Sequence, residues 1–224
     1  RQGEELRAAL FASLSHDLRT PLTAVTVAAN NLRTEGLTDA QRTDQVDIIR
    51  TEAVRLNRLF DNIVDLARIE TRSISPEAQW VQVEAIVEAA AQRVGAALLT
   101  HPLNVQADDE LLVRVDPRLT SAALAHLLEN AAQYSAPAAA IDVTAVVTDN
   151  VLRVSVRDRG PGVPPAELSR IFDRAYRGTI GRQRFGSGMG LAIVHRIVSD
   201  HNGTIRVSDN LPRGTVFTIE LPAR

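Results

Sequence analysis

The sequence predicts a helical hairpin that pairs into a dimeric four-helix bundle, followed by an α+β sandwich with helices on one face of a mixed sheet. From Gln2 to Arg72 the chain has almost no glycine, and its apolar residues recur at steps of three and four, as on one face of a helix. After Ser73 to Pro76 this pattern gives way to a mixture of helical and alternating stretches. We therefore expect domains at residues 1–72 and 79–224, joined by a linker at 73–78.

The hairpin is expected to turn between Thr34 and Asp39. Gly36 ends the first helix, and Thr38 with Gln41 has the spacing of a capping box at the start of the second. Each arm carries an apolar seam: Phe11, Leu14, Leu18, Leu22, Val25, Ala28 and Leu32 in the first, and Val46, Ile49, Ala53, Leu56, Phe60, Ile63 and Ala67 in the second. Both seams are buried best by a second copy, which predicts a homodimer. An intramolecular pair that leans on the other domain is the simpler alternative.

The second domain is predicted to alternate between strands and helices. Strands are expected at 79–83, 111–115, 141–147, 151–157, 204–208 and 215–221, and helices at 84–97, 117–132 and 191–200. Asp149 and Asn150 join two alternating runs and predict an antiparallel hairpin.

Composition narrows the class of protein. The chain has 25 basic and 27 acidic residues without a long block of one sign, so nucleic acid is a poor guess for the partner. The absence of cysteine excludes disulfides and thiolate metal sites. No apolar run of about 18 residues is present, so no membrane contact is expected within this fragment. The lack of cysteine fits a reducing compartment, so the cytoplasm is expected. Because the chain begins at Arg1 and its only methionine is Met189, we expect a piece of a longer protein.

The first chemical motif is Ser-His-Asp-Leu-Arg-Thr-Pro at residues 15–21 of the first helix. His16 is offset by two residues from seam positions on either side, so it is expected to point away from the seam. A neutral imidazole is a competent nucleophile, and Asp17 can hold one ring N–H. Thr20 follows one turn later on the same face. An isolated His-Asp pair is usually an ordinary surface feature, but the full string on an amphipathic helix favours a reactive histidine.

Two glycine-rich strings indicate a nucleotide site. In Asp-Arg-Gly-Pro-Gly at 158–162, glycines allow close approach of a flat ligand and Asp158 can accept a hydrogen bond from an exocyclic amine. In Gly-Ser-Gly-Met-Gly-Leu at 186–191, N–H groups at a helix start can bind phosphate. The second string is not a Walker A loop, and Leu191 stands where a dinucleotide motif needs its third glycine. Alone, each string is also explained by a turn or a flexible loop.

A polar pair, Glu129 and Asn130, lies in a mostly apolar helix pattern. Their oxygens could coordinate a magnesium ion that bridges phosphates, although such a pair is usually the solvated face of a helix. Four histidines are interpreted as structural or surface residues because no ligand-like spacing connects them. They are His101, His126, His195 and His201.

Taken in order, these strings resemble the two-component sensor histidine kinases over nearly the whole chain. Residues 15–22 resemble the H box of that family, 127–134 the N box, 158–162 the G1 box, 171–177 the F box and 186–191 the G2 box. The residues around His16 and Asp158 are similar to those of the potassium-sensing branch.

The resemblance implies a dimerisation and histidine-phosphotransfer domain at 1–72 and a catalytic ATP-binding domain of the Bergerat fold at 79–224. It implies ATP-dependent autophosphorylation of His16, transfer to an aspartate on a response-regulator receiver domain, and phosphatase activity toward that regulator. Asp17 would act as acid or base, and Thr20 would act in the phosphatase reaction. Ala24, Val27 and Ala28 would help to choose the regulator. The full-length parent would be anchored in the bacterial cell membrane.

The resemblance also assigns a site for ATP and Mg²⁺. Asn130 would coordinate the metal, with Glu129 helping through water, and Asp158 would bind the adenine amine. The other nucleotide-binding positions would be Tyr134, Gly160, Gly162, Phe172, Arg177, Gly186, Gly188, Gly190 and Leu191. Residues 173–185, the lid segment, would form a mobile cover over the nucleotide.

Three residues depart from the family pattern. Gln133 stands where the N box often has a lysine or arginine, His126 replaces its frequent first asparagine, and Ala175 occupies an often aromatic position of the F box. The missing cation could be replaced by a nearby arginine, of which the candidates are Arg174, Arg177, Arg182 and Arg184.

Three other functions compete with this reading: a weak or phosphatase-dominant kinase, a non-enzymatic dimeric adaptor, and a stand-alone ATPase related to gyrase or chaperones. The presence of Asn130 and Asp158 argues against the adaptor, and the His16 helix argues against the stand-alone ATPase.

Overall fold

The computed structural model of this chain describes residues 18–70, 76–107, 112–174, 176–181 and 188–223. The chain divides into two compact units, Arg1–Arg68 and Ile69–Arg224. Several predicted positions lie outside the described residues, as does the linker before Pro76. They are Phe11, Leu14, His16, Asp17, Leu111, Ala175, Arg182, Arg184, Phe185 and Gly186.

The first unit contains the predicted helical hairpin. Helix α1 is described at residues 18–31, and α2 spans Asp39–Glu70. The capping box is present, because the Gln41 N–H donates to Thr38 Oγ1 at 3.2 Å and the Thr38 N–H donates to Gln41 Oε1 at 3.0 Å. Gly36 adopts a φ of +83° in the turn, a conformation that few other residues tolerate.

The predicted seam of α2 is partly covered in the single chain. Its residues Ile49, Leu56 and Ile63 are half-buried, and Leu59, which the prediction did not include, is 6% exposed. Val46 is 52% and Phe60 64% exposed, and Ala53, midway between them, is also exposed. These three residues, spaced seven apart, form a row on α2 that we call the outward face. It lies beside the half-buried row, so the two rows form one apolar stripe.

The second unit contains a five-stranded mixed sheet and a separate two-stranded sheet. The larger sheet has the order β2 (Leu103–Gln106), β4 (Ile141–Thr148), β5 (Val151–Arg157), β7 (Thr215–Pro222) and β6 (Thr204–Asp209). The β2–β4 pair is parallel and the other pairs are antiparallel. In the smaller sheet, β1 (Gln79–Gln82) pairs antiparallel with β3 (Leu112–Val115).

Helices α4 (Pro117–Tyr134) and α5 (Gly190–Asp200) pack on the larger sheet, and α3 (Val83–Val94) packs against α4 and β1. Helix α4 contacts both α3 and α5. Inward residues of the central strands alternate with more exposed ones, and those inward residues together with the middle of α4 form the core. Its largest fully buried side chains include Leu124, Leu127, Leu128, Ile141, Leu152, Phe217 and Ile219. This is the predicted arrangement of helices on one face of a mixed sheet.

Some elements differ from their predictions. Strand β2 was missed, because only Leu103 in it is partly covered and the rest is exposed. Strand β1 lies in the small sheet, and Val83 begins α3 rather than ending a strand. Helix α3 stops at Val94 because Gly95 adopts a φ of +54°, and a short 3₁₀ helix follows at Gly95–Leu98. No helix in the described part of the chain has the length and apolar character needed to cross a bilayer.

Candidate functional site

Helix α4 is fixed at its first turn by a buried carboxylate. Asp116, which is 0% exposed, accepts hydrogen bonds at Oδ1 from the N–H groups of Arg118 and Leu119 at 3.0 and 3.1 Å. Its Oδ2 accepts a third bond, at 3.0 Å, from the N–H of Glu77. Pro117 at the first helical position has no N–H to satisfy. The start of the helix is therefore tied to the segment before β1.

The candidate metal ligands lie near the other end of α4. Residues 122–128 are buried on all sides of the helix, and Glu129 and Asn130 follow as half-buried residues where α4 leaves the core. Among the described residues, the Asn130 side chain makes no hydrogen bond, so its amide oxygen is available to a ligand. The described part of the chain holds no cluster of three carboxylate, histidine or cysteine ligands. One amide and one carboxylate fit a magnesium ion that arrives with phosphates, since Mg²⁺ usually keeps several waters.

Asp158 lies directly after β5 and is 2% exposed. Its Oδ1 accepts hydrogen bonds from the N–H of Gly160 at 2.8 Å and the N–H of Thr215 at 3.1 Å. Burial raises the pKa of the Asp158 carboxyl above its usual value, and the bonds from Gly160 and Thr215 oppose that rise only in part. The result is a preorganised acceptor in a dry environment, as needed to select one donor on a flat ligand.

Glycines let three backbone segments approach Asp158 closely. A Cβ on Gly160 would lie 3.0 Å from both Asp158 Oδ1 and the main-chain oxygen of Tyr134. Gly162 has a φ of +84°. Gly214 has a φ of +133° and no room for a Cβ against the main-chain oxygen of Asp158. The turn after β5, the end of α4 and the start of β7 therefore meet at the predicted adenine-binding position.

Gly181, which falls in the predicted lid segment, and Gly190, a predicted nucleotide-binding position, both approach α4. A Cβ on Gly181 would lie 2.8 Å from the Tyr134 hydroxyl oxygen, and Arg177 Nη2 donates to the Gly181 oxygen at 2.7 Å. Gly188 has a φ of +69°, and Gly190 begins α5 with its Cβ position 3.6 Å from His126 Nδ1. Both the described part of the lid segment and the glycine-rich helix start thus converge on the second half of α4.

Phe172 lies beside a histidine ring, and each of the other three histidines has Nδ1 close to an oxygen atom. The Phe172 and His195 rings lie 5.6 Å apart between centroids, next to the exposed side of α5. His101 is buried and its Nδ1 lies 3.0 Å from the Ala139 main-chain oxygen. His126 is buried, with Nδ1 3.6 Å from Glu129 Oε2. His201 Nδ1 lies 2.8 Å from the Ile197 oxygen. Leu191 is half-buried in α5.

Three residues that hold Asp158 were not predicted from the sequence: Asn210, Gly214 and Thr215. Asn210 Nδ2 donates to the Asp158 main-chain oxygen at 2.7 Å. The available signal was the Gly-Thr pair that opens the last strand, where a glycine before a strand marks close backbone approach.

Thr20 lies in the first unit, on α1, and is exposed. It lines an open groove of about 640 Å³ on the helical hairpin. The other lining residues are Arg19, Thr23, Ala24, Val27, Ala28, Asn31, Gln45 and Ile48. The groove thus contains the three positions at which regulator choice was expected, and His16 and Asp17 lie outside the described residues.

Comparison with known proteins identifies a family for both units. The model for the His Kinase A (phospho-acceptor) domain matches residues 6–72. The model for the histidine kinase-, DNA gyrase B-, and HSP90-like ATPase matches residues 115–224.

Among curated relatives, the sensor protein KdpD of Escherichia coli K12 is 37% identical in an alignment that covers 98% of this chain and 25% of KdpD. The sensor-like histidine kinase SenX3 of Mycobacterium tuberculosis H37Rv is 33% identical in an alignment that covers 98% of this chain and 55% of SenX3. The chain thus spans between a quarter and about half the length of these relatives. KdpD is one of several matched sensor kinases, so membership of the potassium-sensing branch stays a prediction.

Solved structures agree in fold. The mycobacterial sensor histidine kinase MprB is 30% identical with a TM-score of 0.58, over 66% of this chain and 98% of that one. The histidine kinase ThkA, solved in complex with the response regulator protein TrrA, has a TM-score of 0.72 at 20% identity, over 100% of this chain and 64% of that one. Both units, their order and their sequence similarity lead to one conclusion: the chain belongs to the two-component sensor histidine kinases.

Proposed function

We propose that this chain transfers the γ-phosphoryl group of ATP to its own His16. The observation that carries the proposal is the position of Asp158, a buried acceptor held by Gly160 and Thr215 beside the end of α4. Residues 1–72 then form the dimerisation and phosphotransfer domain, 73–78 the linker and 79–224 the catalytic domain.

Asp158 is proposed to accept a hydrogen bond from the exocyclic amine of adenine. A carboxylate distinguishes an amine donor from a carbonyl acceptor at the same place on a purine, because the carbonyl would leave the buried acceptor unpaired. Gly160 and Gly162 have no side chains and so leave room for the base. Tyr134, Phe172 and Leu191 supply apolar surface around the base.

The phosphates are proposed to lie between α4 and the start of α5. Gly188 and Gly190 lie at that helix start, where their N–H groups and that of Gly186 would bind the phosphates, and Arg177 would supply positive charge. Asn130 would hold Mg²⁺ directly and Glu129 through water. When bound, the ion neutralises charge on the β- and γ-phosphates, and the side chains of α4 determine where it sits.

In the transfer step, an unprotonated ring nitrogen of His16 attacks the γ-phosphorus. A P–N bond forms, the bond between the γ-phosphorus and the β,γ-bridging oxygen breaks, and ADP leaves. The other ring nitrogen carries a proton that the Asp17 carboxylate can hold and accept. Little further covalent chemistry is required, because phosphoryl transfer depends mainly on positioning and charge neutralisation.

The phosphoryl group is proposed to pass from His16 to an aspartate on a response-regulator receiver domain. Thr20, exposed at the groove on the hairpin, supports a second activity, in which Thr20 and Asp17 orient a water for hydrolysis of the phosphorylated regulator. The outward face of α2 supports a homodimer, because Val46 and Phe60 are more than half exposed in the single chain. The fragment would work in the cytoplasm, attached to a parent anchored in the bacterial cell membrane.

Incubation of the purified chain with γ-labelled ATP and magnesium tests the kinase. We expect label that is stable in base and lost in acid, present in the wild type and absent from His16→Gln. His16→Gln should still bind ADP as tightly as the wild type, which separates loss of the acceptor from misfolding. An unlabelled wild type would refute the proposal.

A mixed dimer of His16→Gln and Asn130→Asp determines the direction of transfer. Label on the Asn130→Asp chain shows transfer between subunits, because only the His16→Gln chain retains a complete nucleotide site. Lack of label shows transfer within one subunit.

A further inference from the structure

Glu167 binds the described part of the lid segment through two hydrogen bonds. Its Oε1 accepts a hydrogen bond from the N–H of Thr179 at 2.9 Å and another from the Thr179 hydroxyl at 2.7 Å. Gly178 makes this contact possible, because a Cβ there would overlap Glu167 Oε2 and lie 2.9 Å from Glu167 Cδ. The Glu167 carboxylate therefore bonds to Thr179 twice and packs closely against Gly178.

The backbone of Glu167 is itself firmly placed. It ends the short 3₁₀ helix Pro165–Glu167, where its N–H donates to the Pro164 oxygen at 2.8 Å. Its own main-chain oxygen accepts bonds from Arg170 and Ile171 at 2.9 and 3.1 Å. Ile171 is 9% exposed, so the turn that carries Glu167 is attached to the core.

The held residues lead directly to two proposed nucleotide contacts. Arg177 precedes Gly178, and its guanidinium donates to the Gly181 oxygen at 2.7 Å. Gly181 in turn approaches the Tyr134 hydroxyl. The short stretch from Arg177 to Gly181 is thus held in its middle by Glu167 and set at its end against α4.

We propose that Glu167 is a positioning residue for nucleotide binding, which holds Thr179 and packs against Gly178 so that Arg177 keeps its place beside the phosphates and Tyr134 its place beside the base. The inference rests on the proposed function of that site. Thr179 is exposed, so its bonds to Glu167 fix the segment without contributing to the hydrophobic core. Hydrogen bonds to a charged acceptor are the stronger kind, which suits a contact on the surface.

Titration of the full 224-residue chain with a fluorescent ADP analogue tests the role of Glu167. Thr179→Val keeps the shape of the side chain and removes the hydroxyl donor, and Thr179→Ser keeps that donor. We expect Thr179→Val to raise the Kd about 3- to 10-fold, the range for one lost hydrogen bond, and Thr179→Ser to restore wild-type binding. Ser169→Ala, an exposed change in the same turn, serves as the control and should not alter the Kd.

A double-mutant cycle with Gly178→Ala and Glu167→Ala tests the contact itself. Gly178→Ala alone should weaken binding about as much as Glu167→Ala, because the added methyl displaces the carboxylate. In the Glu167→Ala background the same methyl meets no carboxylate, so it should add little further loss. Thermal midpoints should stay close to the wild-type value throughout, since a positioning residue changes affinity and not folding.

The outcomes separate the two proposals. If the wild type binds the analogue while Thr179→Val and Glu167→Ala bind it equally well, or if the cycle is additive, the role of Glu167 is overturned and the proposed function stands. Equal losses of affinity and of thermal stability in the variants would also overturn it, in favour of a structural role. Failure of the wild type to bind the analogue overturns both proposals.

Discussion

The side-chain amide of Asn210 donates a hydrogen bond of 2.7 Å to the main-chain oxygen of Asp158. The Asn210 N–H also donates to the Gly214 oxygen at 3.0 Å, so the loop between β6 and β7 is closed on itself while it holds the turn after β5. The position of the Asp158 carboxylate therefore depends on a loop more than 50 residues further along the chain.

Gly214→Ala is expected to lower nucleotide affinity by at least about tenfold, because the new methyl would displace the Asp158 backbone in a site that depends on close packing. Isothermal titration with ADP measures the change. Gly95→Ala is the matched control, since Gly95 also has a positive φ but nothing within 4 Å of its Cβ position. It should cost about 1 kcal/mol of stability and leave ADP affinity unchanged. Equal affinities for the two variants would contradict the role of the Gly214 contact.

Asp158→Asn is expected to separate stability from binding. The pKa of Asp158 is raised by burial, so the folded state holds its proton to a higher pH than the unfolded state does. The stability gained from this difference is complete below the ordinary pKa of 3.8 and is lost as the pH rises through the folded pKa. Asparagine carries no charge to bury and keeps an oxygen for Gly160 and Thr215.

Urea unfolding of Asp158→Asn without nucleotide at pH 7 should therefore show a free energy of unfolding no lower than that of the wild type. Its affinity for ADP should fall about 10- to 100-fold, the range for a hydrogen bond to a charged group. A variant that loses stability and keeps its affinity would show that Asp158 serves the fold and not the nucleotide.

Phe60→Glu is expected to weaken self-association through the outward face of α2. Phe60 is 64% exposed in the single chain, and a charge at the centre of an interface costs about 2 kcal/mol or more. Sedimentation equilibrium should show a dimer Kd at least about tenfold higher than in the wild type. Leu99→Glu, at a position 85% exposed in the other unit, should leave the dimer intact. The same sedimentation profile for both variants would place the interface elsewhere.

Gln133→Lys is expected to strengthen ATP binding by restoring a cation that the family often has on this helix. Gln133 is half-buried on α4, one turn after Asn130, so the gain should be modest, about 2- to 5-fold, as for a partly exposed charge pair. Gln133→Met controls for side-chain length without charge. The gain should shrink at high salt and be absent for adenosine. A gain for adenosine as well would indicate packing as its cause.

The elements that the sequence predicted well are specified by neighbouring residues. The Thr38–Gln41 capping box and the Asp149–Asn150 turn, whose φ values are +53° and +60°, depend on side chains and backbone within a few positions. The partners of β1 and β2 could not be predicted, because pairing between distant strands leaves little trace in either strand.

The same distinction applies to the candidate site. Asp158 and its glycines form a recognisable local string, but Thr215 joins them from 57 residues away, and only the β5–β7 pairing brings it there. Glu167 also gave no signal, since its partner Thr179 lies 12 residues further on and the described residues between them form no helix or strand.

Asp116 has a mechanical consequence. The same buried carboxylate holds the first turn of α4 and the N–H of Glu77, so the chain entering the second unit is tied to the helix that carries Asn130. A force on the residues before Glu77 would therefore act on the first turn of α4. Because α4 is a single helix, such a force would be transmitted along it toward Asn130, the proposed magnesium ligand near its other end.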